Sequence, residues 1–206
     1  MSAESQNSTE MLIKKLIILG VIVSVIVVGW GFAQKDSEGK KVELSNKLHS
    51  LETEKLSKLS DGKIQSREIL DDFISLVKGS KAPEVALAFA LKFNDQLLDK
   101  KEFKLSAELL TTMDKEIKDG IARQVLLSRL ALSQEETGEY QSAVETLNNL
   151  LSLKYTVLED KTYFDLGRLY IKLGNKEKAK SSLDYVVDKS KDTELVKLAQ
   201  YFLSKI

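Results

Sequence analysis

The sequence predicts an all-α protein in which one membrane-spanning helix precedes stacked helical hairpins and a C-terminal capping helix. Three observations carry that expectation. A run of eighteen residues without a charge, Leu16 to Ala33, lies close to the start of the chain. A single proline and ten glycines punctuate 206 residues, too few breaks for a protein built from short strands and tight turns. In the second half, apolar residues recur at i, i+4, i+7 and i+8, and the whole pattern returns after 36 residues.

Residues 1–15 form a short polar head that ends on Lys14 and Lys15. The run over 16–33 would extend about 27 Å as a helix, close to the roughly 30 Å hydrocarbon core of a bilayer. Without water to bond, the backbone of such a span has to be helical. The lysine stems can snorkel at its front edge, and Trp30 and Phe32 suit the headgroup boundary at its far end. A cleaved signal peptide is the alternative, since Gly31-Phe32-Ala33 offers small residues at the two positions a signal peptidase inspects. The length of the apolar run favours a retained anchor. Charge leaves the orientation open. Lys35, Lys40, Lys41 and Lys47 after the span outnumber Lys14 and Lys15 before it, which by the positive-inside rule favours a cytoplasmic C-terminal part. Long domains, however, translocate largely regardless of charge.

Residues 34–63 read as a charged stalk helix with Leu44, Leu48 and Leu51 at i, i+4 and i+7, followed by Leu56 and Leu59. The stripe is too short for a sustained coiled coil. It is expected to pack on the domain behind it, with weak homodimer pairing through the stalk as the alternative. His49 lies within it and has no second ligand in view. The domain follows at 64–206. An amphipathic helix over 64–77 carries Leu70, Phe73, Ile74 and Val77 on one stripe, Gly79 ends it, and Pro83 opens the next helix.

Three hairpins are expected at about 83–118, 120–153 and 157–189. In the last two, Leu127, Leu130 and Ala131 answer to Tyr163, Leu166 and Gly167. Ala143, Leu147, Leu150 and Leu151 answer in the same way to Ala179, Leu183, Val186 and Val187. Small residues at Ala131/Gly167 and Ala143/Ala179 let two helices approach closely. The first hairpin is a degenerate copy. With Ala107 set 36 residues before Ala143, Asn94 and Asp95 fall where Leu and a small residue belong. Asp192 caps a final helix over 192–205, whose Leu195, Leu198, Ala199 and Phe202 form the face that closes the stack.

Tyr163, Leu166, Gly167, Tyr170, Ala179 and Leu183 resemble the tetratricopeptide repeat, and the second hairpin resembles it except for Gln134 at the aromatic position. A short head, one N-terminal span and a divergent domain of this kind are also similar to the ancillary subunit of the bacterial Sec translocon. Residues 94–103 and 173–179 carry most of that second resemblance. It implies a bacterial inner-membrane protein with its domain in the periplasm, whose partners are translocon subunits, periplasmic chaperones or translocated clients.

Composition narrows the chemistry. Lysine plus arginine equals aspartate plus glutamate at 31 each, so no basic excess points to nucleic acid. With no cysteine and one histidine, no thiolate or histidine-pair metal site is expected, and phosphate-loop, nucleophile-elbow and HExxH motifs are missing. No catalytic residue or cofactor is expected. The protein-binding candidates are Lys161, Phe164, Arg168 and Lys172, spaced for one helix face. The preceding hairpin offers the blander Ser128, Leu132 and Glu135. The reading is of a membrane-anchored protein-interaction module, and the competing one is a structural spacer within a membrane complex.

An anchored chain should stay in the membrane pellet after an alkaline carbonate wash and keep Met1 or Ser2 as its N-terminus. A mature protein beginning at Gln34 would establish the signal-peptide alternative instead.

Overall fold

The computed structural model describes residues 38–59, 61–118, 120–154, 157 and 159–206. The head, the span and the first four stalk residues lie outside the described residues. Among the described residues all regular structure is helical, and no helix is long and apolar enough to cross a membrane.

The first helix, α1, covers residues 38–51 and continues through a π-helical segment, Glu52–Leu56, into Ser57–Leu59. The π segment has a sequence cause. Five residues separate Leu51 from Leu56, which in an α-helix would rotate Leu56 about 140° off the leucine face. One wider turn brings it back, and Leu44, Leu48, Leu51, Leu56 and Leu59 are all buried. They join one core with Ile69, Leu70, Phe73 and Val77 of α2, Ser66–Val77. The stalk therefore packs on the domain, and its leucine face is used within the chain. Lys55 fastens it by bonding Glu68 and Asp72 of α2, the latter at 2.7 Å.

Gly79 takes the left-handed conformation after α2, and Pro83 opens a 3-10 turn, Pro83–Ala86, that leads into α3, Leu87–Asp99. Then come α4 (Phe103–Glu116), α5 (Gly120–Glu136), α6 (Tyr140–Leu151), α7 (Glu159–Lys172), α8 (Lys176–Lys189) and α9 (Thr193–Leu203). From α3 onward each helix packs on the next, so α3/α4, α5/α6 and α7/α8 form three hairpins and α9 closes the third. Asp192 caps α9 by accepting from the backbone N–H groups of Glu194 and Leu195 at 3.0 and 3.1 Å. Asn175 likewise accepts from Lys178 N–H at the start of α8.

The structure corrects the register of the first hairpin. Lys101, Gly138 and Gly174 all have left-handed backbone, with φ of 58°, 80° and 73°. The following residue in each turn donates back to the same kind of carbonyl: Glu102 N–H to Leu97, Glu139 N–H to Gln134, and Asn175 N–H to Tyr170, at 2.8, 2.8 and 2.9 Å. These equivalent turns are 37 and then 36 residues apart. The counterpart of Ala143 is therefore Ser106, not Ala107, and Asn94 takes the place of Ala131 and Gly167. Phe93, Leu97 and Leu110 then match Leu130, Gln134 and Leu147. Where hairpins two and three use small apolar residues, hairpin one uses a polar pair. Asn94 Nδ2 donates to Ser106 Oγ at 2.5 Å, with both residues fully buried.

Close approach is tightest in hairpin three. A Cβ at Gly167 would lie 2.6 Å from Leu183 Cγ and 2.7 Å from its Cδ2, inside van der Waals contact. Leu183 is itself fully buried, so it has little room to retreat. Gly167→Ala should gain up to about 1 kcal/mol of helix propensity but lose about 1–3 kcal/mol to overpacking. We expect a net loss of about 1 kcal/mol in denaturant titrations followed by helical circular dichroism. Ala179→Leu should lose at least as much, and a gain for either variant would refute the crossing geometry.

Candidate functional site

The first helices of hairpins two and three, α5 and α7, face each other across a groove of about 250 Å³. Ala131 and Leu169 from these helices, with Leu147 from α6, give it a buried apolar floor. Ser128 and Leu132 on α5 and Lys161 on α7 stand exposed at its rim.

The four residues expected to bind a partner share a face of α7 but sit in different surroundings. Phe164 is only 8% exposed. It packs edge-on against Phe202 of α9, ring centroids 5.7 Å apart, so the ring secures the closing helix. Arg168 lies over that ring at 5.8 Å and reaches across the groove to Glu135, donating from Nη1 and Nη2 at 2.9 and 3.0 Å. It also donates to Asp165 at 3.0 Å. Lys161 pairs with Asp165 at 2.7 Å. Lys172 lies 3.2 Å from Glu135 and 4.9 Å from the centre of the Tyr140 ring. Three cations thus share two carboxylates. Burial works against the charge of Arg168, but its bonds to Glu135 and Asp165 outweigh that cost and hold the guanidinium above its ordinary range.

Arg168 and Glu135 are 33 residues apart, and their planar two-bond contact ties α7 to α5. One hairpin earlier Arg129 plays the same part. It donates to Asn94 Oδ1 at 2.9 Å and bonds Asp95, tying α5 to α3. These basic groups hold successive first helices in place and leave Lys161 and Lys172 as the exposed cations of the set.

Sequence reasoning named Leu132 but missed the exposed apolar row that it belongs to on α5. Ile121, Val125 and Leu132 are 69%, 40% and 43% exposed and run along α5 at i, i+4 and i+11, with exposed Ser128 between them. The signal was present. Leu126, Leu127, Leu130 and Ala131 supply the buried stripe of α5, which leaves Ile121, Val125 and Leu132 outside the core. A surface helix that is apolar on two sides has one side left over for something else.

With this geometry in place, two stretches match models described as tetratricopeptide repeat, residues 126–153 and 160–187. Hairpins two and three are tetratricopeptide-like. Both matches fall on hairpins two and three, one on each side of the groove. A comparison with characterised proteins finds no match. Repeats of this kind present concave protein-binding surfaces and are typically non-enzymatic scaffolds. Among the described residues no group of three histidine, aspartate or glutamate side chains converges as a metal site would require.

Glu135 is 8% exposed and depends on its cations. Arg168→Gln should therefore destabilise the chain by about 2 kcal/mol, less than the ~3–5 kcal/mol of a fully buried pair because Lys172 remains beside the carboxylate. Adding Glu135→Gln in the same chain should recover part of the loss in denaturant titrations, which a simple loss of packing would not allow.

Proposed function

We propose that the chain is a membrane-tethered adaptor whose groove between α5 and α7 receives an apolar segment of a partner protein. The exposed row of Ile121, Val125 and Leu132 leading onto the apolar floor carries this reading. Leu132 and Val125 supply the contact area, and Lys161 and Lys172 border it. Arg168 and Phe164 act behind them, keeping α5, α7 and α9 at the spacing the groove needs. Because the groove cations already bond carboxylates, the preferred segment is apolar rather than strongly acidic.

The tether in this proposal is the uncharged run over 16–33. A tether raises the effective concentration of partners at one membrane without adding contacts. The layout similar to the translocon's ancillary subunit supports an inner-membrane location with the domain in the periplasm. The partner would then be a translocon subunit, a periplasmic chaperone or an exported client.

Photo-crosslinking in intact cells tests this from position 132, which is exposed, whereas a probe at the buried position 164 would report mainly on α9. Translocon subunits or exported proteins should be captured from 132 and not from Lys180 on α8, and Val125→Asp should abolish the capture. Equal, sparse labelling from both positions would favour the spacer reading, and capture of cytoplasmic proteins would reverse the orientation.

A further inference from the structure

The chain has a second charged surface, at the opposite end of its sequence from the groove. The turn after α2 comes back beside the first two turns of α1, and a shallow hollow forms between them. Lys40 and Lys47 of α1 and Lys78 and Lys81 of the turn line it, with Glu43 as the carboxylate among its lining residues. Glu43 bonds Lys47 at 2.7 Å. That bond, with the nearby charge of Lys40 adding to it, holds the carboxyl below its usual range. With Lys41 next in α1, five lysines gather on these two segments of a chain whose total charge is zero.

Position gives this cluster a partner. Glu38, where α1 is first described, lies only five residues on from Ala33, the last of the uncharged run. Even fully extended this stretch reaches about 18 Å. The lysines on the opening turns of α1 and on the turn beside them therefore stand at the end of the domain next to the bilayer. A tether this short lets them approach within the ~10 Å over which a surface field decays at ordinary ionic strength. Juxtamembrane lysine clusters are attracted to anionic lipid headgroups in this way.

We propose that this lysine collar docks the foot of the domain on anionic lipid headgroups, so that α1 leads the groove away from the membrane at a set orientation. The inference rests on the anchored reading of residues 16–33. It also gives the lysines after the span a role that does not depend on which side of the membrane the domain occupies.

The chain has no cysteine, so a single one can be introduced for labelling. Ser75 lines the same hollow and is exposed, and Ser181 on α8 is an exposed control in the third hairpin. Full-length Ser75→Cys and Ser181→Cys proteins would carry a nitroxide and be placed in nanodiscs of phosphatidylcholine alone or mixed with phosphatidylglycerol. Relaxation by a nickel chelate on the headgroups then reports proximity to the bilayer. Relaxation at 75 should rise several-fold in the phosphatidylglycerol discs and fall back at high salt. It should also fall back in Lys78→Glu/Lys81→Glu and, separately, in Lys40→Glu/Lys47→Glu proteins of unchanged helical circular dichroism, while position 181 stays unaffected throughout. Chain retained in the discs, with relaxation at 75 indifferent to lipid charge, overturns the collar and leaves the anchor standing. That is also the result expected of lysines kept for an acidic protein. Chain that fails to enter the discs overturns anchor and collar together.

Discussion

The crossing of two helices inside each hairpin governs the rest of the molecule. A helix pair can close only if its crossing point carries side chains small enough, or well enough matched, to let the backbones approach. Gly167 shows the constraint in its strongest form, since the Leu183 side chain occupies the space its Cβ would need. Ala131 and Ala143 meet the same demand in hairpin two, where both are buried in one cluster. Hairpin depth then sets how far apart α5 and α7 stand, and so the width of the groove. The left-handed residue at each turn is part of the same device, because it reverses the chain within a few residues and delivers the second helix to the crossing.

Hairpin one solves the problem with polarity. Ser133 donates to the carbonyl of Arg129 at 3.0 Å, so its 2.6 Å contact with Ser106 has Ser106 as donor. Asn94 donates to Ser106 in turn, and Arg129 closes the circuit by donating to Asn94. Asn94, Ser106 and Ser133 are fully buried, yet each has its partners. Such a network is costly if half made and rigid when complete. Here it does more than close a hairpin, because Ser133 and Arg129 belong to the next one. The polar crossing of hairpin one thereby fixes where hairpin two docks.

That network also explains what could be read from the sequence and what could not. Hairpins two and three were legible because each pairs a glycine turn with alanine or glycine at the crossing, in a constant frame of 36 residues. The capping role of Asp192 and the packing of the stalk leucines were legible for similar local reasons. Hairpin one was obscured three times over. Lys101 holds a left-handed position that glycine holds elsewhere, Asn94 and Ser106 replace small apolar residues, and the frame is longer by one. No local pattern reveals an asparagine whose partners lie 12 and 35 residues away. The groove cations were obscured in the same way. Spacing placed Lys161, Arg168 and Lys172 on one face, but the carboxylate that engages Arg168 and Lys172 comes from the preceding hairpin.

Charge therefore has different tasks at the two ends of the chain. Around the groove it is short-range and committed. Arg168, Lys172 and Lys161 meet Glu135 and Asp165 within about one hydrogen-bond length each, and such contacts fix geometry more than they attract from afar. What the groove has left to offer a partner is apolar area, whose attraction is non-directional and grows with the surface removed from water. At the foot of α1 charge works at longer range, since lysines of two neighbouring segments gather there. The field of such a cluster acts over a Debye length and is weakened by salt, whereas buried apolar contact is not. A chain with 31 charges of each sign can in this way hold the proposed recognition surface and the proposed orienting surface apart, because the two depend on forces of different range.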